Sequence, residues 1–500
     1  MNEANGRLVG SSGPRFGILQ KNAITVLGAV ALAMAFMAPG ASTFFETQPA
    51  AAGAGYAIPF AFLLAMVVCL LVASTIAGFA RKLPAAGFAY TFSSQGIGKR
   101  AGFMSGWLLA FAYGMIGPMI FPALGGFGGQ FLLSQFGINI PWWVITIAFV
   151  VIIWAISVRG VAVTAGVALV FLVIEVGVVV VLGFTILFKG GAEGLSLGPF
   201  NPGNTLGGFS GLGIGVLWGI LAFVGFESAG TLGEETSNSK RNIPRALFAA
   251  AGIIGCFYVF VMYCAAIGFG KDHVSALVGD STPWFTLASR YWGAGVSWIL
   301  ALTVINSSFA NLIAGANAAI RVVFALGRES ILPSVLGRTN AKGTPVMAAT
   351  VYMLFSLVLA LGVGLAIGPF GAFAFFGSIL GLGIILIWIM LNVSLTFFYR
   401  RRYPQEFSPV KHGVFPIVAS VLMVLPLYGQ LWPIPALPNN LVPYIVVLWV
   451  VAGFVYLSLI QRRRPTVFAG MGRVWGEDSL AVEAVAGTPA IGQVGYEQVG

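Results

Sequence analysis

The sequence predicts an all-α membrane protein with twelve transmembrane helices, and three observations lead to this fold class. First, 58% of the 500 residues are hydrophobic and 8% are charged, with a mean hydropathy of +0.94. Soluble domains carry about 25% charged residues, so a soluble globular protein is excluded. Second, apolar runs of about 20 residues, enough for a helix to cross a bilayer, recur along the chain. Third, short basic clusters separate these runs, as in cytoplasmic loops of membrane proteins.

The apolar runs organise the chain into one membrane domain, at 23–461, between a cytoplasmic N-terminal tail, at 1–22, and a C-terminal tail, at 462–500. The C-terminal tail is polar, small and without period, which predicts disorder. The predicted spans lie near residues 23–46, 55–79, 103–134, 141–158, 161–188, 212–234, 246–270, 284–326, 346–368, 370–399, 414–432 and 441–461. The segment 83–100 is too polar and glycine-rich to span alone and is expected at the inner membrane interface, or as an ordinary loop.

The charge pattern predicts the orientation. An even number of spans leaves both termini on one side, and a cytoplasmic assignment places only Lys189, Lys271 and Arg290 outside. The net charge of +11 does not indicate nucleic-acid binding, because the basic residues lie in short clusters between apolar runs. The expected macromolecular partner is therefore the lipid bilayer of the cytoplasmic membrane.

The sixth span contains the first of two predicted helix breaks. Gly225 and Gly230 flank Glu227 inside an apolar run, where insertion scales assign a carboxylate a cost of about 2.5–3.5 kcal/mol. Glycines let the backbone open, and an open backbone at membrane depth is tolerated where it is buried in protein or lines a cavity. The pattern predicts a broken helix at a polar site; a kink without function is the alternative.

The first span carries the second break, at Pro39 and Gly40, and five spans separate the two. A repeat of five helices places them at equivalent positions, and because five is odd the second repeat is inverted. The repeats are expected at about 23–188 and 205–399, followed by two further helices at about 414–461. Discontinuous helices at matching positions of inverted repeats indicate a transporter's substrate site.

The backbone ends at these breaks suggest the chemistry of the substrate. The outer half of span 1 begins near Gly40, Ala41 and Ser42 with free N–H groups, which suit a carboxylate. The outer half of span 6 ends near Ala222, Phe223 and Val224 with free carbonyls, which suit an ammonium. The pair predicts a receptor for a zwitterion.

Other classes of function lack their signals. The three cysteines lie in apolar spans without metal-like spacing, and both histidines, His273 and His412, are expected in solvated loops. No catalytic cluster, pore motif or ATP-binding motif is present, so an enzyme, a channel and a primary pump are not supported, and no cofactor or metal is expected.

Four segments resemble the amino acid-polyamine-organocation (APC) superfamily. They are GFESAGTLGEETSNSKRNIPRAL, RKLPAAGFAYTFSSQGIGKRAGFMSGW, IRVVFALGRESILP and FYRRRYPQEFSPVKHGVFP. The resemblance implies a twelve-helix transporter with five-plus-five inverted repeats that imports or exchanges amino acids or related amines, often driven by protons. One departure is Pro39, Gly40 and Ala41 where the family usually has a Gly-Ser/Ala-Gly triplet. MAPGAST looks more like the branch that includes ethanolamine and putrescine carriers alongside amino acid carriers.

The resemblance also assigns roles to single residues. Glu227 matches the proton-sensing glutamate of the arginine/agmatine antiporter and is expected to couple or gate. Some proton-coupled relatives carry a lysine in helix 5, whereas this chain has Glu175, which could carry a proton, help Ser307 and Ser308 hold a cation, or stay neutral and hydrogen-bonded. The acidic pair Glu234 and Glu235 matches the family's, or pairs with nearby basic residues.

The substrate pocket is expected between the two breaks. Besides the break residues it would include Gly225 and the aromatic walls Tyr113, Trp218 and Phe226, although aromatics in spans more often pack than bind. The function predicted from the sequence is a secondary transporter that imports an amino acid by alternating access, with a proton. An ethanolamine or polyamine permease, or an amino acid exchanger, is the alternative.

Overall fold

The computed structural model describes residues 25–83, 88–160, 165–232, 236–340 and 343–471, and these residues form helices without a β-strand. The α-helices are α1 Val26–Met37, α2 Pro39–Ala54, α3 Ile58–Ala80, α4 Phe88–Gly96, α5 Lys99–Gly114, α6 Ile116–Phe136, α7 Trp142–Arg159, α8 Ala165–Phe188, α9 Gly208–Phe223, α10 Ser239–Phe269, α11 Val274–Gly279, α12 Pro283–Trp292, α13 Ser297–Arg328, α14 Val346–Ile367, α15 Pro369–Arg402, α16 Phe415–Leu422, α17 Val424–Leu431, α18 Val442–Arg463 and α19 Pro465–Gly470. The all-α fold class is confirmed.

Eleven stretches of the described chain are long and apolar enough to cross a membrane. The first, Val26–Ala80, has 55 residues and contains α1, α2 and α3, whereas one crossing needs about 20. It is therefore long enough for two crossings, with the chain turning at Gly55 (φ 56°) between α2 and α3. The total of twelve crossings remains a prediction.

The surface of the bundle is apolar, as a bilayer requires. Val170 and Val173 on α8, Val358 on α14 and Leu448 on α18 are all more than half exposed. In water such a surface would drive aggregation, but in lipid it costs nothing. Polar side chains such as Thr75 and Asn392 instead lie inside the bundle, where the Thr75 hydroxyl donates to Oδ1 of Asn392 on another helix at 2.7 Å.

The eighth predicted span differs in the structure, whereas the segment 83–100 agrees with the expectation that it does not span alone. The run 284–326, predicted as one span, forms α12 and α13, because Gly293 (φ 92°) ends α12 in a conformation that only glycine adopts readily. The segment 83–100 contributes the short helix α4 and the start of α5, in keeping with its expected inability to span; residues 84–87 lie outside the described ones.

The C-terminal tail is ordered further than predicted. Residues Pro465–Gly470 form α19, and Met471 is 1% exposed in a small cluster with Phe103 and Leu457. The disorder predicted for the tail is therefore wrong for this first part, because its apolar residues pack on α5 and α18. Residues 472–500 lie outside the described part of the chain.

One of the two histidines, His412, lies in an environment different from the solvated loop predicted for it. His412 is buried, stacks on Tyr399 at 3.6 Å between ring centroids, and accepts the Ser408 N–H at its Nδ1. The expectation of a solvated loop residue is wrong here, since the turn before α16 folds back onto α15. His273 is exposed, as expected, and lies 3.2 Å from Glu193.

Candidate functional site

The first helix breaks at Ala38, which has φ 47° and ψ 64° between α1 and α2. Pro39 causes the break: its ring disfavours helical geometry at the preceding residue, and it has no N–H to offer the Ala35 carbonyl. The Ala38 N–H instead donates to the carbonyls of Met34 and Ala35. The break predicted at Pro39 and Gly40 is confirmed in position.

The second break follows α9, which ends at Phe223, and is completed by a 3-10 helix, Phe226–Leu232. Between them Gly225 has φ 120°, which only glycine adopts without strain. A Cβ atom there would lie 2.9 Å from Cγ of Phe36 and 3.0 Å from the backbone nitrogen of Met37. The two breaks therefore meet backbone to backbone.

Tyr258, on α10, bridges the carbonyl ends of the two broken helices. Its hydroxyl lies 3.2 Å from the Met37 carbonyl oxygen and 3.0 Å from that of Ala222. Helix C-termini leave their last carbonyls without backbone partners, so a buried donor is required at both. The carbonyl of Ala222, expected to meet a substrate ammonium, is within reach of a protein hydroxyl.

The long helix α13 contacts both halves of the first broken helix. Asn311 donates through Nδ2 to the Phe36 carbonyl at 2.7 Å, near the end of α1. Four residues earlier, and so on the same face of α13, Ser307 accepts the Ala41 N–H at 2.9 Å, in the first turn of α2. The side chains of α13 thus cap the two helix ends that the break leaves open.

Glu175, on α8, lies at the N-terminal end of α2. Its Oε2 accepts a hydrogen bond from Nδ2 of Asn306 at 3.1 Å, and its carboxyl is also hydrogen-bonded to the Ser307 hydroxyl and the Gly40 N–H. The side chain is 3% exposed. The N–H groups of Gly40 and Ala41, predicted to bind a substrate carboxylate, are thus engaged by a protein carboxyl and a hydroxyl.

Glu227 lies in the second break and is fully buried. Its Oε1 accepts from the Tyr113 hydroxyl at 2.9 Å and its Oε2 from the Gly225 N–H at 2.9 Å. The Tyr113 ring packs edge-on against Phe36, with centroids 6.0 Å apart, so this carboxyl also adjoins the first break. Sequence reasoning selected Glu227 and Tyr113 separately, and the structure brings them together.

A third buried carboxyl, Glu46, escaped the sequence analysis. It lies on α2, is 3% exposed, and its Oε1 is 3.1 Å from Oγ of Ser42, one helical turn away. Its Oε2 is buried without a hydrogen-bond partner. The signal was present in the sequence as a carboxylate beside an apolar run, but the predicted span 23–46 put this residue at the outer membrane edge, where it needs no explanation.

The breaks are surrounded by buried acidic side chains but not by buried basic ones in the described residues. Three carboxyl groups, of Glu46, Glu175 and Glu227, are buried there, whereas every lysine and arginine of the described chain escapes burial. An unpaired buried charge costs several kcal/mol, so each carboxyl must be neutral or compensated by a cation. Among the described residues, no group of three or more His, Cys, Asp or Glu side chains is placed to hold a metal ion.

The remaining predicted pocket residues are all buried, but several face packed helices. Trp218 stacks on Phe373 of α15, with ring centroids 5.6 Å apart, and Phe226 packs edge-on against Trp388 of the same helix. Phe223 packs against Tyr258. The Ser308 hydroxyl is buried without a partner, so it is free to ligate, whereas the Ser307 hydroxyl is already engaged. Pro39, Ser42 and Val224 are also buried, which closes the breaks to solvent.

Comparison with known sequences decides the family. The amino acid permease family model matches residues 24–457, which contain both breaks and all three carboxyls. The chain is an amino acid permease family member. The resemblance to the APC superfamily is thereby confirmed, and the permease is a multi-pass membrane protein that transports amino acids or amines.

The relatives of the permease differ in what they carry. The chain is 26% identical over 417 residues to the branched-chain amino acid permease BcaP of Lactococcus lactis subsp. cremoris, covering 75% of the chain and 84% of BcaP. It is 26% identical over 453 residues to the low-affinity putrescine importer PlaP of Escherichia coli, covering 88% and 94%. To the aromatic amino acid transport protein AroP of Escherichia coli it is 24% identical, covering 84% and 91%.

Proposed function

We propose that the permease imports an amino acid across the cytoplasmic membrane by alternating access, coupled to protons, with both termini in the cytoplasm and a transporter domain at 23–461. The observation that carries this proposal is the set of three buried carboxyls at two touching helix breaks, without a buried lysine or arginine in the described chain. Such a site binds a cationic group favourably and requires protons when it is empty.

The site also supports closure from both sides. The break residues are buried, and the two breaks are connected by the Tyr258 hydroxyl and by the close approach of Gly225 to Phe36 and Met37. Short helix halves joined at a break can move relative to the rest of the bundle, which is the motion that alternating access needs. The closed arrangement is the intermediate through which such a cycle passes.

A proton is sufficient to drive uptake. One proton crossing about 100 mV supplies about 2.3 kcal/mol, and each tenfold accumulation of a neutral substrate requires about 1.4 kcal/mol. Glu227 and Glu175 are the proposed coupling residues, because each is buried at a break and hydrogen-bonded to its backbone. Ser307 and Ser308 remain the proposed alternative site for a sodium ion.

The choice between an amino acid and an amine depends on the N-terminal end of α2. A free amino acid needs N–H groups for its carboxylate, and those of Gly40 and Ala41 are engaged by Glu175 and Ser307. This observation favours an amine such as putrescine or ethanolamine as the second candidate. An amino acid is accommodated only if Glu175 withdraws and yields its place to the substrate carboxylate.

Counterflow in proteoliposomes tests both candidates. Vesicles preloaded with leucine, phenylalanine, ethanolamine or putrescine would be diluted into the labelled compound, first at equal pH and then with a pH gradient. Accumulation of leucine or phenylalanine driven by an inward proton gradient supports the proposal, and exchange of the amines alone supports the second candidate. Absence of any exchange by correctly folded protein would contradict both.

The variant Glu227→Gln separates coupling from binding. A coupling residue can be neutralised without loss of counterflow, whereas proton-driven accumulation is abolished. If affinity collapses at every pH, Glu227 is a ligand contact and its coupling role is wrong. Glu193→Gln, which removes an exposed loop carboxylate, is the matched control and should leave both activities unchanged.

A further inference from the structure

Glu46 is a buried titratable group to which the proposed function assigns no role. Its Oε1 contacts the Ser42 hydroxyl and its Oε2 has no partner. The titratable side chains that face this region from neighbouring helices are Tyr258 on α10 and Glu175 on α8, neither of which supplies a positive charge. Other titratable groups on elements packed against α2 are engaged or lie elsewhere: Arg290 and Tyr291 contact the Gly268 carbonyl, and Cys69 adjoins Glu227.

Four short contacts connect Glu46 to both helix breaks. Oγ of Ser42 lies 3.1 Å from Oε1 of Glu46 and 3.1 Å from the Met37 carbonyl. The Tyr258 hydroxyl lies 3.2 Å from the same Met37 carbonyl and 3.0 Å from the Ala222 carbonyl. Three acceptors are thus served by two hydroxyls, each of which has a single hydrogen to donate.

The number of hydrogens distinguishes two arrangements. When Glu46 is protonated, its O–H donates to Ser42, Ser42 donates to Met37, and Tyr258 donates to Ala222, so every acceptor is satisfied. When Glu46 is ionised, Ser42 must turn to donate to it, and Tyr258 turns to the vacated Met37 carbonyl. The Ala222 carbonyl at the second break then loses its donor, and a buried acceptor without a donor attracts a new one.

We propose that Glu46 is a proton-binding site whose ionisation, relayed by Ser42 and Tyr258, frees the Ala222 carbonyl to accept an N–H of the substrate's ammonium group. A proton on Glu46 and an ammonium at Ala222 then compete. By linkage each weakens the binding of the other by the same factor. The identity of the ligand rests on the proposed function. The relay through Ser42 and Tyr258 rests only on the contacts described above.

Two variants fix the relay in opposite positions. Glu46→Gln retains the N–H donor toward Ser42 and mimics the protonated state, so substrate affinity is expected at a low value that has lost the part of its pH dependence due to Glu46. Tyr258→Phe keeps the ring but frees the Ala222 carbonyl permanently, so affinity is expected at a high value that has lost the same part of the pH dependence. The difference between each variant and the wild type should be about fivefold to tenfold, the factor for one net hydrogen bond.

The measurement is the half-saturating concentration for counterflow of leucine and of putrescine, at equal pH on both sides, over a series of pH values. Opposite shifts in the two variants support the relay, because loss of structure would lower affinity in both. Equal pH dependence in wild type and Glu46→Gln, or shifts in the same direction, would overturn it. Glu193→Gln serves again as the control.

An infrared titration tests the relay without substrate. The protonated Glu46 carboxyl should give a carbonyl stretch that Glu46→Gln removes, and the pH at which this band disappears should differ in Tyr258→Phe. If the band is present and unaffected by Tyr258→Phe, the relay is wrong even where transport is normal. If wild type exchanges neither compound but the titration behaves as expected, the proposed function fails for these substrates and the relay stands.

Discussion

The contact between the two breaks depends on the absence of a side chain at Gly225, so Gly225→Ala is expected to destabilise the permease. Its φ of 120° strains any L-residue by about 1–3 kcal/mol. The added Cβ would also lie 2.9–3.0 Å from Phe36 and Met37 atoms, two of them backbone, and such overpacking costs about 1–3 kcal/mol. The total of about 2–6 kcal/mol reduces the population of the closed site at least roughly 25-fold.

Gly252→Ala is the matched control for this perturbation. Gly252 lies inside α10, has no atom within 4 Å of the point where an alanine Cβ would lie, and should gain about 0.5–1 kcal/mol from the better helix former. The assay compares the temperature at which each variant loses its monodisperse size-exclusion peak, together with its initial rate of counterflow. If Gly225→Ala is as stable and as active as Gly252→Ala, the two breaks do not meet in the way described.

Two further predictions concern single hydrogen bonds. Tyr113→Phe removes the donor 2.9 Å from Oε1 of Glu227, so proton-driven accumulation should shift its pH dependence while counterflow at equal pH changes by less than about tenfold; an unchanged pH profile would contradict the pairing. Glu193, in the loop before α9, is partly desolvated, which raises its pKa, but donors including the Lys271 N–H at 2.8 Å outweigh this and lower the pKa overall. A depressed pKa contributes stability that is present above the ordinary glutamate value and lost as pH falls through the folded value. Glu193→Gln should therefore lower the melting temperature near neutral pH, and the melting temperature of the variant should fall less than that of the wild type on acidification. Thermal unfolding of both proteins at neutral and at acidic pH measures this.

Local sequence signals predicted the two breaks well. Pro39 blocks the backbone hydrogen bond at its own position, and Gly225 permits a conformation closed to other residues, so each break is encoded within a few residues of where it occurs. The carboxyl of Glu227 was also identified locally, because a charge inside an apolar run is costly wherever the helix lies.

Sequence patterns were less informative where a residue's depth mattered. Glu46 was assigned to the end of a span, and only the packing of α2 against neighbouring helices reveals that it is buried without a partner for Oε2. Gly293 divides a predicted span into two helices for a related reason. The apolar composition continues across Gly293, but the helical conformation ends there.

The sequence by itself determined that this chain lies in a bilayer, that its first and sixth predicted spans are broken, and that it belongs among the amino acid permeases. Only the tertiary structure decided which groups meet there. Tyr258 is 221 residues from Met37 and 36 from Ala222, and Ser307 is 266 residues from Ala41. The physical reason is that apolar periodicity is weak in helices surrounded by lipid and protein, so the rotation of each helix is set by packing and buried hydrogen bonds between distant segments.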